Sequence, residues 1–305
     1  MHTQVLIIGS GPAGYTAAIY TARAGLNTTL FTGKTIGGQL TRTLEVENFP
    51  GFNMISGFDL MEKFKNQAQH IGVNIIQDEI INLNLSEKPF KFESSNNLSG
   101  TSDSVIMATG ASPKWLNIEG EEIFKGKGIS ICATCDGFFY KNKTVAVIGG
   151  GNSALYEALF LSNVANNIYL INKNNLFTGD KKLQEKVLAN PKITIINNTE
   201  VIEFKGEQKL THLILKNKLD SKINEISVDG VFEAIGTQPN IDLISSQLKI
   251  TKNGYIHTNK RTMETSIKGV FACGDVQEDK FKQAIISAGS GAIAALSAEK
   301  YLCNI

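Results

Sequence analysis

The sequence predicts an α/β protein built from two Rossmann-like dinucleotide-binding domains, the first discontinuous and the second inserted into it. Two observations predict the domains. "VLIIGSGPAG" (Val5–Gly14) and "VAVIGGGNSA" (Val145–Ala154) each pass from an apolar strand through a glycine turn into a helix, and the turns open 140 residues apart, at Gly9 and Gly149. A third predicts the insertion. "ATG" (Ala108–Gly110) and "AIGTQPN" (Ala234–Asn240) resemble each other, end strands in small residues and bracket the second turn, as two crossings between domains would. The expected divisions are residues 1–112 with 241–305, and residues 113–240. The crossings, near 110–115 and 236–241, suit a hinge.

In the first element, Gly9 permits the tight turn, Gly11 lets the backbone approach a pyrophosphate, and Gly14 lets helix and strand pack closely. The following helix offers free N–H groups and the positive end of its dipole to phosphate. The second strand, in "NTTLFTGK" (Asn27–Lys34), ends in Phe31, Thr32 and Gly33, without the usual acid for a ribose hydroxyl. The glycine turn "GGQL" (Gly37–Leu40) follows at once and is expected to supply backbone donors instead.

The second unit repeats the pattern through Gly149 and Gly151, with Ala154 at the third glycine position. Two nucleotides in one chain suggest a relay in which one cofactor delivers hydride and the other holds the electrons. Near the end, "KQAIISAGSGAIAALSAEKYL" (Lys282–Leu302) reads as a helix with small residues on one face.

Bulk properties narrow the class. A chain of 305 residues with 42% apolar content has a proper core and room for two domains. A net charge of +1 with no long basic block argues against nucleic acid or an anionic membrane surface as the main partner. Met1–Gln4 runs straight into "VLII" with no charged leader segment, and no apolar run approaches the ~18 residues of a membrane span, so a soluble cytoplasmic protein is expected. Arginine occurs only at Arg23, Arg42 and Arg261.

"CATCD" (Cys132–Asp136) lies just before the second glycine turn. A structural zinc needs four ligands, whereas this chain has one close cysteine pair, isolated Cys273 and Cys303, and histidines without ligand spacing. No metal site is expected. An inert buried pair is one alternative; a redox dithiol is the favoured one, because C-x-x-C spacing allows a small, easily opened disulfide ring and a lowered thiol pKa. The attacking species is a thiolate, so a neighbour must manage protons. Asp136 is the nearest ionisable candidate, and as an aspartate it also suits a helix N-cap.

Four segments, in order, carry a resemblance: "SGPAGYTAAIYTARAG", "GGQLTRTLEVENFPG", "CATCDGFFYKNKTVAVIGGGNSA" and "TSIKGVFACGDV". Together the chain resembles the bacterial low-molecular-weight thioredoxin reductases over nearly its whole length. That resemblance implies FAD in the split domain, NADPH in the inserted one, and a Cys132–Cys135 disulfide that passes electrons to thioredoxin. By position, Cys135 would face the flavin, Cys132 would attack thioredoxin, and Asp136 would give and take the proton. The flavin contacts would fall on Gly9, Ser10, Gly11, Pro12, Ala13, Gly14, Thr32, Gly33, Gly37, Gly38, Gln39, Leu40 and Asn48. Later in the chain they would fall on Gly274, Asp275, Lys282, Gln283 and Ala284, with Asp275 at the ribityl chain and the last helix starting beneath the ring system. Gly149, Gly151, Asn152, Ser153, Ala154 and Lys173 would hold the nicotinamide nucleotide. The family is usually a homodimer, and its inserted domain rotates so that nicotinamide and cysteine pair take turns at the flavin.

One stretch departs from the pattern. Where the family carries "HRRxxxR" for the 2′-phosphate of NADPH, this chain has "NKNNLFT" (Asn172–Thr178), leaving only Lys173 charged. Lysine is a poorer fork for phosphate than arginine, and no acid for the free hydroxyl of NADH is present either. A relaxed preference between NADPH and NADH is therefore expected. Competing functions within this architecture are a reductase of another small dithiol protein, a ferredoxin-fed flavoprotein, a non-catalytic redox sensor, and a simple flavin transhydrogenase or oxidase.

Overall fold

The computed structural model describes residues 1–43, 45–244 and 246–303. Leu44, within the "GGQLTRTLEVENFPG" segment, and Asn304 and Ile305, at the end of the expected first domain, lie outside the described residues. The chain forms two compact units, Met1–Ser112 with Gln238–Ile305, and Pro113–Thr237.

In chain order, the first unit contributes β1 (His2–Ile8), α1 (Pro12–Arg23), β2 (Thr28–Phe31), α2 (Gly57–His70), β3 (Asn74–Ile76), β4 (Ile80–Asn84), β5 (Phe90–Ser94) and β6 (Ser99–Met107). The outward crossing is β7 (Ala111–Pro113). The second unit contributes α3 (Glu121–Phe124), β8 (Ile129–Ser130), α4 (Ala133–Asp136), β9 (Thr144–Ile148), α5 (Asn152–Leu161), β10 (Asn167–Ile171), α6 (Lys181–Leu188) and β11 (Ile193–Ile196). It continues with β12 (Thr199–Gly206), β13 (Leu210–Asn217), β14 (Ile223–Ser227) and β15 (Gly230–Glu233). The return crossing is β16 (Thr237–Pro239), followed by β17 (Val270–Ala272) and α7 (Ala284–Cys303).

The first unit's sheet runs β3-β2-β1-β6-β5-β4, with β17 also on β6. Strands β3, β2, β1, β6 and β17 are parallel, while β4 and β5 add an antiparallel flap. One strand serves two neighbours on the same side. The first half of β6 (Ser99–Ser102) pairs with β5, and its second half (Val105–Met107) pairs with β17. Both faces of the sheet are covered, so "VLII" is buried throughout. Val5 and Ile7 join Tyr15, Leu30, Phe271 and Ala294 in one core, while Leu6 and Ile8 join Phe31, Phe90, Met107 and Ile256 in the other.

The second unit has a five-stranded parallel sheet, β11-β10-β9-β15-β8, and a separate antiparallel meander, β12-β13-β14. Its strands also alternate between two cores: Val145 and Val147 pack with Leu155 and Phe232, whereas Ala146 and Ile148 pack with Phe204 and Leu213.

The last helix covers Ala284–Cys303 and buries the small side chains Ser287, Ala288, Ser290, Gly291, Ala294, Ala295 and Ala298. Small residues are needed where it meets α1: a Cβ on Gly291 would lie 2.2 Å from the Ala13 carbonyl oxygen. Asn240, on the return crossing, is bonded into the first unit. Its backbone N–H donates to Gly110 O at 3.0 Å, its side-chain amide donates to Thr109 O at 2.8 Å, and the Thr109 hydroxyl donates to its carbonyl at 2.7 Å.

Candidate active site

The first glycine turn has the geometry its spacing suggests. Gly9 has φ 111° and a Cβ there would lie 2.2 Å from Ala108 O; a Cβ on Gly14 would lie 1.9 Å from Gly9 O. Both positions therefore exclude a side chain. A Cβ on Gly11 meets nothing within 4 Å, so the backbone there faces open space. Gly11 is also the N-cap of α1, with Pro12 at the first helical position and no side chain capping the helix. The N–H groups of that first turn, which includes Ala13 and Gly14, form a cradle for an anion.

Other elements close around this cradle. The Ser10 hydroxyl donates to Thr32 O at 2.9 Å and accepts from Gly37 N at 3.0 Å, linking the first turn to the end of β2 and to the second glycine turn. Gly33, Gly37 and Gly38 all have positive φ, and Gln39 and Leu40 begin a 3-10 turn (Gln39–Arg42). Of the backbone donors expected from Gly37–Leu40, two have partners within the protein. The Gly37 N–H is bonded to Ser10, and the Gly38 N–H donates to Thr35 O at 3.0 Å. The turn also contributes close approach, since a Cβ on Gly38 would stand 3.2 Å from the Gly11 Cα.

Residues from the end of the chain reach the same place. Gly274 (φ 72°) donates its N–H to the Ser290 hydroxyl at 2.8 Å, and a Cβ there would lie 2.8 Å from the Ala13 Cβ. Asp275 accepts from the Ser287 hydroxyl at 3.0 Å; burial raises its pKa, opposed by that hydrogen bond and by the Lys282 charge. The Lys282 ammonium donates to Tyr255 OH at 2.7 Å, the Asn48 amide donates to Gln283 Oε1 at 3.1 Å, and Ala284 opens α7. The open face at Gly11, the uncapped helix and the half-buried Asp275 acceptor fit an adenine dinucleotide with a polyhydroxyl chain.

In the second unit, Gly149 (φ 146°) sits with its prospective Cβ 2.5 Å from Ala234 O and 2.9 Å from the Ala154 Cβ. Gly151 caps α5 without a side-chain bond, and Asn152 and Ser153 are exposed at the helix start. This second cradle also fits a pyrophosphate.

Beside it, the loop 172–178 is arranged around Asn172. That side chain is 1% exposed, donates to Leu176 O at 3.2 Å and to Asn197 Oδ1 at 3.3 Å, and accepts from Asn174 N at 3.2 Å. It packs beneath Gly150, where a Cβ would meet Asn172 Oδ1 at 2.5 Å. Asn172 is thus committed to shaping the loop, while Lys173, Asn174 and Thr178 are exposed.

The pair Cys132–Cys135 is a disulfide with Cα atoms 5.3 Å apart, carried on the short helix α4. Asp136 ends α4 and precedes a 3-10 turn (Gly137–Tyr140), whose N-cap position it occupies without capping it. The expected capping role is therefore replaced. The carboxylate instead accepts from the Ser130 hydroxyl at 2.6 Å, and the same Ser130 oxygen accepts from Cys132 N at 3.1 Å. Burial raises the Asp136 pKa and the Ser130 hydrogen bond opposes it.

Helix α5 brings the second cradle and the cysteine turn together within one unit. A turn and a half after Gly151, its Glu157 faces the Ala133 amide between the two cysteines, and burial pushes that carboxyl up to about 8. Among the described residues, no group of three or more His, Cys, Asp or Glu side chains is placed to hold a metal, and no helix is long and apolar enough to cross a membrane.

Sequence reasoning passed over Ser130, Glu157, Ser287 and Ser290. Ser130 had a faint signal, a lone hydroxyl between Ile129 and Ile131 two residues before the first cysteine. The other three gain meaning only through contacts between elements distant in sequence.

Comparison with known proteins matches this geometry to a family. The sequence description of the pyridine nucleotide-disulphide oxidoreductases matches residues 3–291. The chain is 46% identical over 304 residues to a thioredoxin reductase of Rickettsia typhi, covering 98% of each chain. It is 49% identical over 312 residues to a thioredoxin reductase of Buchnera aphidicola subsp. Baizongia pistaciae, covering 99% of this chain and 95% of the relative. Among solved structures, the thioredoxin reductase from Giardia duodenalis superposes with a TM-score of 0.93 at 37% identity over 99% of both chains.

Proposed function

The chain belongs to the pyridine nucleotide-disulphide oxidoreductase family, and from that premise we infer that it is a thioredoxin reductase, an FAD- and NADPH-dependent enzyme that reduces the disulfide of thioredoxin. FAD, when bound, accepts hydride from NADPH and makes the electron pair available to a disulfide. The observation that carries the reading is the Cys132–Cys135 disulfide with a half-buried carboxylate, Asp136, on the next residue.

We assign FAD to the discontinuous first unit, with its pyrophosphate over Gly11–Gly14 and its ribityl hydroxyls at Asp275. The nicotinamide nucleotide goes to the second unit, over Gly149–Ala154. In the thiol chemistry, Cys132 attacks the thioredoxin disulfide as thiolate and Cys135 resolves the resulting mixed disulfide. Asp136 takes the proton from the attacking thiol, and its partly desolvated setting, which raises its pKa, keeps the acid form accessible for returning it. By the type it resembles, the enzyme works as a cytoplasmic homodimer; sedimentation of the purified protein tests the assembly.

The decisive experiment is NADPH-driven reduction of thioredoxin. Cys132→Ser and Cys135→Ser each abolish turnover while the protein keeps its flavin colour. Asp136→Asn lowers kcat by about 10²-fold or more. Undiminished thioredoxin reduction by either serine variant would overturn the assignment.

A further inference from the structure

We propose that Ser130 is the positioning residue for proton transfer at the cysteine pair, holding the Asp136 carboxylate and the Cys132 backbone on one hydroxyl. The inference deepens the reading above and rests on Asp136 as the proton carrier. Three observations support it. Ser130 donates to Asp136 Oδ2 at 2.6 Å and accepts from Cys132 N at 3.1 Å, so its single proton is committed to the carboxylate. It is 8% exposed, which keeps water from competing for that bond. It sits on a sheet strand rather than a loop, since β8 pairs with β15 through Ser130 and Phe232.

The geometry selects one oxygen of the carboxylate. Oδ2 is occupied as an acceptor, so the proton taken from Cys132 resides on Oδ1. The balance is then closed. The Cys132 S–H bond breaks and its proton goes to Asp136 Oδ1. The thiolate forms a bond to one thioredoxin sulfur and the thioredoxin S–S bond breaks, its leaving thiolate taking up that proton. Cys135 then attacks Cys132, re-forming the internal disulfide, and its own proton goes to the second thioredoxin sulfur. Two electrons and two protons pass from the dithiol to thioredoxin.

Other titrating groups face this turn. From the following 3-10 turn comes Tyr140, pushed up to about 12 by burial and by the charges of Asp136 and Asp229. From α5 comes Glu157, beside the Ala133 amide. Neither shares the Ser130 hydroxyl. A hydrogen bond to the charged form holds a carboxyl pKa down, so removing the hydroxyl moves Asp136 further upward.

The test is the pH profile of kcat/KM for thioredoxin, measured on the flavin-loaded enzyme. In Ser130→Ala the acid limb, which reports the carboxylate form, moves up by about one pH unit. In Ser130→Thr, which keeps the hydroxyl, the limb stays where it is in the parent. If Ser130→Ala does not fold, Ser130→Cys, a weak donor, gives the same direction with a smaller shift. A purely structural serine would lower the amount of folded enzyme and leave the limb in place. Asp136→Asn separates the two claims. A limb that persists in Asp136→Asn overturns the role of Asp136 and this inference with it. A limb lost in Asp136→Asn but unmoved in Ser130→Ala and Ser130→Cys overturns the role of Ser130 alone.

Discussion

Glu121 and Glu233 are both buried in the interior of the second unit, each 2% exposed, and their carboxyl groups share one backbone donor, Leu116 N. Both reach the segment entering that unit, where Leu116 N donates to Glu121 Oε1 at 2.8 Å and to Glu233 Oε2 at 3.2 Å. Two carboxyls this close and this dry cannot both be charged without cost, and burial together with the Glu121 charge pushes Glu233 from 4.5 up to about 8.

The sign of the pH effect follows. Between about 4.5 and about 8 the folded chain holds a proton that the unfolded chain has released. Stability therefore falls as pH rises through that window and levels off above it. Glu157, raised to about 8 by its own burial, acts in the same direction. Melting temperature measured from pH 5 to pH 8.5 is expected to decline, and Glu233→Gln is expected to flatten the decline in part. An equal slope in that variant would show that the pair does not hold the proton.

Coenzyme choice is open to a two-sided test at the loop 172–178. Asn174 is exposed, so Asn174→Arg adds a fork for a 2′-phosphate without disturbing the fold. One charge-assisted contact of about 1.5–3 kcal/mol raises the NADPH-to-NADH ratio of kcat/KM by about ten- to a hundredfold. Asn172→Arg has the opposite character: its side chain is buried beneath Gly150, so the variant loses stability and gains no preference.

Gly11 and Gly14 should separate binding from folding. A methyl on Gly11 meets no protein atom within 4 Å, so Gly11→Ala leaves the melting temperature of the apoprotein unchanged and lowers its affinity for FAD. A methyl on Gly14 strikes Gly9 O at 1.9 Å, so Gly14→Ala lowers both. Flavin titration and calorimetry of the apoproteins check this.

The two remaining thiols differ in reactivity. Cys273 is wholly buried and pushed up to about 12, whereas Cys303 is exposed. Thiol labelling of the oxidised native protein is expected to modify Cys303 quickly and Cys273 only after denaturation, and Cys303→Ser removes the fast phase.

Both glycine turns and the cysteine pair were legible in the sequence because each is a local device: strand, turn and helix start lie within ten residues. Within the turn Gly37–Leu40, the use of the Gly37 N–H inside the protein was not legible, because its partner, Ser10, lies 27 residues away and meets it only in the folded unit. Asn172 reads as a lost phosphate ligand in one dimension and as a loop keystone in three, since its partners include Asn197. The Glu121–Glu233 pair joins positions separated by most of the second unit, which no periodicity could reveal.

The divided pairing of β6 has a consequence for biosynthesis. Its second half waits for β17, which is translated after the whole second unit has emerged. A nascent chain exposes Val105–Met107 as an open edge during that interval, while the contiguous second unit already possesses every strand of its sheet. The inserted unit is thus the part able to mature first on the ribosome, and the beginning of the polypeptide is completed by its end.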